Sequence, residues 1–205
     1  MLQERDRKLI SSLDFYARRT LRELGKSIRM SPQGVDYKLA TLERDGIIAG
    51  YYPVMDFHKL GYLYGRVLFQ YHLTTEESER EIEAFVCAQP EVTWVLQFEG
   101  EYDLGFIVLV RNISAFDAVL KRIVLRFGRY IRKKIQSIGI QLEQFPLRML
   151  GAPNERKQLS SPERSPALLD TLDEAILRAV GVNARILLVT IAMEQNVPAR
   201  TVAYR

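Results

Sequence analysis

The stretch Ser31-Pro32-Gln33-Gly34-Val35-Asp36-Tyr37-Lys38-Leu39-Ala40-Thr41-Leu42-Glu43-Arg44-Asp45-Gly46-Ile47-Ile48-Ala49-Gly50-Tyr51 decides how the rest of the chain is read. It spells one helix and one turn with defined ends. Ser31 offers a capping hydroxyl, and Pro32 suits the first helical position, where no backbone N–H is needed. Val35, Leu39 and Leu42 recur at i, i+4 and i+7 and make one apolar stripe. Gln33, Gly34, Asp36, Tyr37, Lys38 and Thr41 lie off that stripe and face outward. Gly46 stops the helix, and Ile47-Ile48 begins something extended. A capped helix with a narrow core stripe and a polar outer face meets the needs of a DNA-reading helix. One side anchors to its own domain, and the other presents donors and acceptors to base edges. An ordinary amphipathic helix is the competing reading, and the flanking sequence decides between them.

Upstream, residues from about Gln3 to Leu13 predict a first helix with Leu9, Ile10 and Leu13 inward. Phe15-Tyr16-Ala17-Arg18 breaks it. Thr20 and Glu23 have capping-box spacing for a second helix with Leu21, Leu24 and Ile28 inward. Three short helices followed by Ile47-Ile48 and Tyr51-Tyr52 as candidate wing strands give a winged helix-turn-helix pattern. Arg18, Arg19, Arg22, Lys26 and Arg29 cluster around the second helix. Such cations touch phosphates and set register without reading sequence. A solvated surface charge is the alternative for each.

The whole chain bounds these readings. It has 205 residues, with 29 Lys and Arg against 25 Asp and Glu, so nucleic acid is permitted as a partner without being required. It holds no apolar run long enough to span a membrane, and its charged N-terminus is unlike a signal peptide. A cytoplasmic location is expected. The single cysteine, Cys87, excludes an internal disulfide framework and a thiolate zinc site, and its place beside Val86 suggests a buried thiol. His58 and His72 form no spaced metal or acid–base pair. No catalytic residue, metal or cofactor is expected.

From Leu63 the apolar period changes to two. Val67, Phe69, Tyr71 and Leu73 alternate with Arg66, Leu68, Gln70 and His72, the pattern of a half-buried strand. A helix follows from Thr74, with Ile82, Phe85 and Val86 inward, ending at Gln89-Pro90. Val92 to Phe98 reads as a second strand. Gly100-Glu101-Tyr102-Asp103 reads as a turn, and Leu104 to Val110 as a strand buried on both faces. Asn112 to Phe127 reads as a helix, and Ile135 to Leu142 as the last strand. The order βαββαβ is a ferredoxin-like split unit. Lys121 to Lys134 holds seven basic residues and no acidic one, a run that suits DNA, an acidic partner, an anionic effector or simply solvent. Gly151 to Pro166 has linker composition.

The residues Asp6-Arg7-Lys8-Leu9-Ile10, Ala17-Arg18, Glu23-Leu24-Gly25, Ser31…Val35…Lys38-Leu39…Leu42-Glu43…Gly46-Ile47-Ile48…Gly50-Tyr51 and Asp56…Lys59-Leu60-Gly61-Tyr62 together resemble the Lrp/AsnC family of feast/famine transcription regulators. Lys38 stands where that family usually has arginine. It keeps the charge and loses the planar fork. The resemblance implies a C-terminal module that senses an effector, typically an amino acid, and forms the homo-oligomer. It places the effector near Gly100, Tyr102 and Asp103, although Gly-x-x-Asp is also a good hairpin turn in any protein. Phe127-Gly128-Arg129-Tyr130-Ile131 is similar to the longer archaeal members. Sirohaem decarboxylases share both modules, but the places of their Phe-Pro and Arg-Arg pairs hold Phe15-Tyr16 and Ala49-Gly50 here. An enzyme of that kind and a winged helix that binds protein are the alternatives to a regulator.

The last forty residues repeat the first forty at a shift of 167 positions. Asp6 falls on Asp173, Leu9-Ile10 on Ile176-Leu177, Ala17-Arg18 on Ala184-Arg185, Leu21 on Leu188, Leu24 on Ile191, Val35 on Val202, and Tyr37-Lys38 on Tyr204-Arg205. The expected organisation is therefore α+β. Residues 1–61 form a winged helix-turn-helix, 62–150 a βαββαβ domain, 151–168 a linker and 169–205 a partial second winged helix-turn-helix. The last segment is expected to be cut within its second candidate reading helix, with frayed final residues. The expected function is a sequence-specific regulator that binds double-stranded DNA through Arg18, Arg19, Ser31, Gln33, Gly34, Asp36, Tyr37, Lys38 and Thr41.

Overall fold

The computed structural model describes residues 2–14, 16–151, 157–160 and 166–205. Contacts divide the chain into two units. One contains Met1–Val54, Glu143–Lys157 and Leu168–Arg205, and the other Met55–Leu142 and Gln158–Ala167. Among the described residues, no helix is long and apolar enough to cross a membrane.

The first unit opens with α1 (Glu4–Leu13), α2 (Leu21–Ile28) and α3 (Pro32–Arg44). Each helix starts where a side chain meets free amides. Gln3 N donates to Asp6 Oδ2, Glu23 N to Thr20 Oγ1, and Gly34 N to Ser31 Oγ. Leu9, Leu13, Leu24, Ile28, Val35, Leu39 and Leu42 form one buried cluster, so the apolar stripe of α3 is consumed by its two neighbours. The link between α2 and α3 is tight. Arg29 takes the left-handed conformation at φ +54°, and Met30 N donates to Gly25 O at 3.0 Å.

The expected wing strands are corrected by the structure: residues 47–54 hold no strand. The reason lies in where their polar groups go. The amides of Ile47 and Ile48 both donate to Leu42 O, closing the end of α3. The Tyr51 carbonyl accepts from Ala184 N at 2.7 Å. Groups so engaged are not free to build a ladder.

Later in the same unit come α6 (Thr171–Val182), α7 (Leu188–Glu194) and α8 (Ala199–Tyr204), whose starts lie 167 positions after those of α1, α2 and α3. Ile191, Ala192 and Val202 form their buried cluster. The final residues, expected to fray, instead include a helix up to Tyr204. Arg205 then bonds both Asp173 oxygens from Nη1 and reaches Asp170 Oδ2 at 2.8 Å from Nη2.

The second unit holds a four-stranded antiparallel sheet in the order β2-β3-β1-β4, made by β1 (Leu63–Tyr71), β2 (Val92–Gln97), β3 (Leu104–Val110) and β4 (Ile131–Gly139). Helices α4 (Glu76–Cys87) and α5 (Ile113–Phe127) cover one face. Val67, Phe69, Phe106 and Val108 meet Ile82, Val86, Phe116, Val119 and Ile123 there. Gly65 lets the buried Phe116 ring lie directly on β1. On the other face, Gly105 leaves room for Phe98 and Leu68, and Trp94, Leu96 and Phe98 remain exposed.

Four local expectations change. Leu73 lies outside β1, with φ +54°, and is exposed. Cys87 is exposed, because it follows buried Val86 by one helical position, a turn of about 100°. The last strand starts at Ile131, four residues early, with Arg132, Lys133 and Lys134 inside it. The expected linker contains a strand, Lys157–Ser160, while its residues 152–156 and 161–165 lie outside the described residues, as does Phe15.

Candidate nucleic-acid interface

Helix α3 presents a continuous polar face. Gln33, Asp36 and Tyr37 are exposed, Tyr37 at 73%. Ser31 is committed to capping. Thr41 is half-buried, and its Oγ1 donates to Tyr37 O at 2.9 Å. A Cβ at Gly34 would sit 3.1 Å from the Met30 methyl, so this glycine serves the turn before α3 as well as the helix surface.

Lys38 is placed differently from its neighbours. Its Nζ lies 2.6 Å from Asp6 Oδ1, and the two side chains are only 22% and 11% exposed. Burial works against the charge on Asp6. The bond from Lys38, with the Gln3 amide, outweighs it and holds the carboxyl below the ordinary carboxylate range. This bridge ties α3 to α1.

Arg18 is exposed, but its guanidinium is occupied. Nη1 donates to Ala184 O at 2.7 Å and Nη2 to Ile186 O at 3.1 Å. Arg19 stacks on the Tyr16 ring with its guanidinium carbon 4.7 Å from the centroid. Tyr51 Oη donates to Glu43 Oε1 at 2.6 Å, and burial followed by Glu43 pushes that phenol up. These residues build the frame of the polar face. Arg185 was absent from the sequence-based site, although its Nη1 donates to Ala17 O at 2.5 Å. The 167-residue repeat, which aligns it with Arg18, was the signal that pointed to it.

In the second unit, Gly100 takes φ +151°, a region that favours glycine. Asp103 is structural: its Oδ2 accepts from Tyr71 N at 2.6 Å, its amide donates to Phe69 O, and its carbonyl accepts from Phe98 N. Tyr102 lies under Lys133, whose Nζ also reaches Glu101 Oε1 at 2.8 Å. The turn borders a cleft of about 490 Å³ lined by Tyr71, Glu79, Glu83, Glu99 and Asp103. Much of the basic run is spent locally. Lys121 pairs with Asp117, Arg122 with Glu91 and Arg126 with Glu81. No group of His, Cys, Asp and Glu among the described residues is arranged to hold a metal.

Comparison with known proteins decides the family. The model of the Lrp/AsnC ligand-binding domain matches residues 67–135, inside the sheet unit. The DNA-binding transcriptional activator DecR of Escherichia coli K12 is 30% identical over 125 residues, covering 60% of this chain and 82% of DecR. The chain belongs to the Lrp/AsnC family of transcription regulators. An uncharacterised HTH-type regulator of Pyrococcus furiosus is 26% identical over 124 residues, covering 60% of this Lrp/AsnC chain and 82% of that relative. The solved regulator NMB0573 of Neisseria meningitidis, in complex with L-Met, shares the fold. Its TM-score is 0.62 at 21% identity, covering 72% of this chain and 95% of that one.

Proposed function

We propose that α3 is the DNA-reading helix of this regulator and that α1 to α3 act as its helix-turn-helix. The observation that carries the reading is the division of α3 into a fully consumed apolar stripe and an open polar face. Gln33 and Tyr37 stand where they would meet base edges, and Gly34, Asp36 and Thr41 flank them. Asp36 accepts from a cytosine amino group or is repelled by phosphate. Ser31 caps, Arg19, stacked on Tyr16, is the candidate phosphate contact, and Arg18 and Lys38 act mainly through protein contacts. The test is binding to duplex DNA over a salt series. Affinity falls steeply with salt if phosphates are neutralised. Gln33→Ala and Tyr37→Ala each weaken the preferred duplex roughly tenfold, within the range for one base contact. Unchanged affinity in both variants would overturn the assignment of α3.

The sheet unit supports an oligomer and an effector response. Trp94, Leu96 and Phe98 are exposed beside Leu68, an apolar surface suited to a second copy. The effector reading rests on Gly100 and Tyr102 at the turn, with Asp103 positioning it. The neisserial relative's complex with L-Met makes an amino acid the first ligand to try.

A further inference from the structure

The contacts between the two helical repeats are reciprocal. Arg18 donates to Ala184 O and Ile186 O, the residues on either side of Arg185. Arg185 donates to Ala17 O at 2.5 Å and, at the outer limit of a hydrogen bond, to Arg19 O at 3.5 Å, the residues on either side of Arg18. Under the 167-residue shift, Ala17, Arg18 and Arg19 become Ala184, Arg185 and Ile186. Residue i therefore contacts j', and i' contacts j. That is the pattern of an isologous joint about a local twofold axis, formed here within one polypeptide.

The repeat also reaches the reading helix. The Lys38–Asp6 bridge has its counterpart in Arg205–Asp173, and the Gln3–Asp6 cap in Asp170–Asp173. Met30 N donating to Gly25 O is matched by Val197 N donating to Ala192 O, both at 3.0 Å. Left-handed Arg29 is matched by left-handed Asn196. With those supports reproduced, α8 holds the place of the first part of α3, Pro32–Tyr37. Its buried Val202 matches Val35, its exposed Tyr204 matches Tyr37, and its exposed Arg200 matches Gln33.

We infer that α8 is a second DNA-contacting helix, and that the Arg18–Arg185 joint sets its spacing from α3 so that one chain reads a two-part DNA site. The inference rests on the assignment of α3 above. It gives Arg18 a positioning role. It also makes the two half-sites unequal in sequence, because Arg200 and Gln33 have different chemistry: arginine suits guanine and glutamine suits adenine.

The experiment enriches duplexes from a random pool with the full chain and maps protection on them with hydroxyl radicals. Two protected patches are expected on one face of the DNA, a helical turn or a multiple of it apart. The Arg200→Ala/Tyr204→Ala variant, altered only at exposed positions, loses one patch and keeps the other. Gln33→Ala/Tyr37→Ala shows the complement. Arg18→Lys, whose single ammonium lacks the planar fork that spans Ala184 O and Ile186 O, keeps both patches but loses the preference for one spacing between half-sites. The unfolding midpoint of each variant confirms that it is folded. If the Arg200/Tyr204 variant protects the same DNA as the parent, α8 does not read DNA, and the assignment of α3 stands. If no duplex is enriched at all, both readings fall together.

Discussion

Lys38 and Asp6, thirty-two positions apart in sequence, form a 2.6 Å ion pair that is mostly withdrawn from water. Removing one partner of a buried pair strands the other charge, which costs about 3–5 kcal/mol when burial is complete. Both side chains retain some exposure, so Lys38→Met is expected to cost about 2–3 kcal/mol, somewhat below that range. Urea unfolding of the variant and its parent measures the difference. A cost below about 0.5 kcal/mol, the size of a surface pair, would show that the bridge is not structural.

The same pair predicts a pH dependence. The Asp6 carboxyl is held below its ordinary value in the folded chain. Its contribution is therefore complete above about pH 4, the unfolded value, and is lost as pH falls through the lower folded value. Asp6→Asn removes this contribution at every pH. The stability gap between parent and Asp6→Asn should be flat near neutrality and shrink below about pH 4. A gap that stays constant down to the acid limit would contradict the assignment.

Two glycines of the sheet are expected to respond differently to alanine. A methyl at Gly65 would collide with the Phe116 ring, which is buried and has nowhere to go. Overpacking of this kind costs about 1–3 kcal/mol. A methyl at Gly105 would meet the far end of Phe98, which is 42% exposed and can swing outward. Thermal unfolding should rank Gly65→Ala well below Gly105→Ala, and the reverse order would contradict this packing.

Asp103 separates a structural role from a ligand role. Its carboxylate accepts the Tyr71 amide, a bond that serves the fold itself. Asp103→Ala should lose about 1–3 kcal/mol of stability without any ligand, because a part-buried N–H is left unmet. Asp103→Asn keeps an acceptor oxygen and should lose less. Calorimetry with L-Met on the parent, Tyr102→Ala and Asp103→Asn then reports binding apart from folding.

Much of the fold was legible because local chemistry and the global arrangement agree. Ser31, Pro32 and the Val35/Leu39/Leu42 stripe fix α3, and alternation through Val67 and Phe69 fixes β1. The missing pieces have different causes, although the local reading was reasonable in each. The wing residues gave their amides to Leu42 and a carbonyl to Ala184. The start of β4 was hidden because Arg132, Lys133 and Lys134 look like a charge run, although they sit on an edge strand. In the candidate site, the exposed face of α3 was readable from the helical period. The capture of Lys38 by Asp6 was not, yet the repeat carried its trace in the matching Asp173 and Arg205.

The exposed indole of Trp94 has a practical consequence. It is the chain's single tryptophan, so all indole emission comes from one exposed place on the sheet face opposite α4 and α5. Should two copies close over that side, the ring would leave water and its fluorescence would shift to the blue with rising protein concentration. The molecule thus carries a built-in optical gauge of self-association, and adding an amino acid during the titration would show whether metabolite and assembly are coupled.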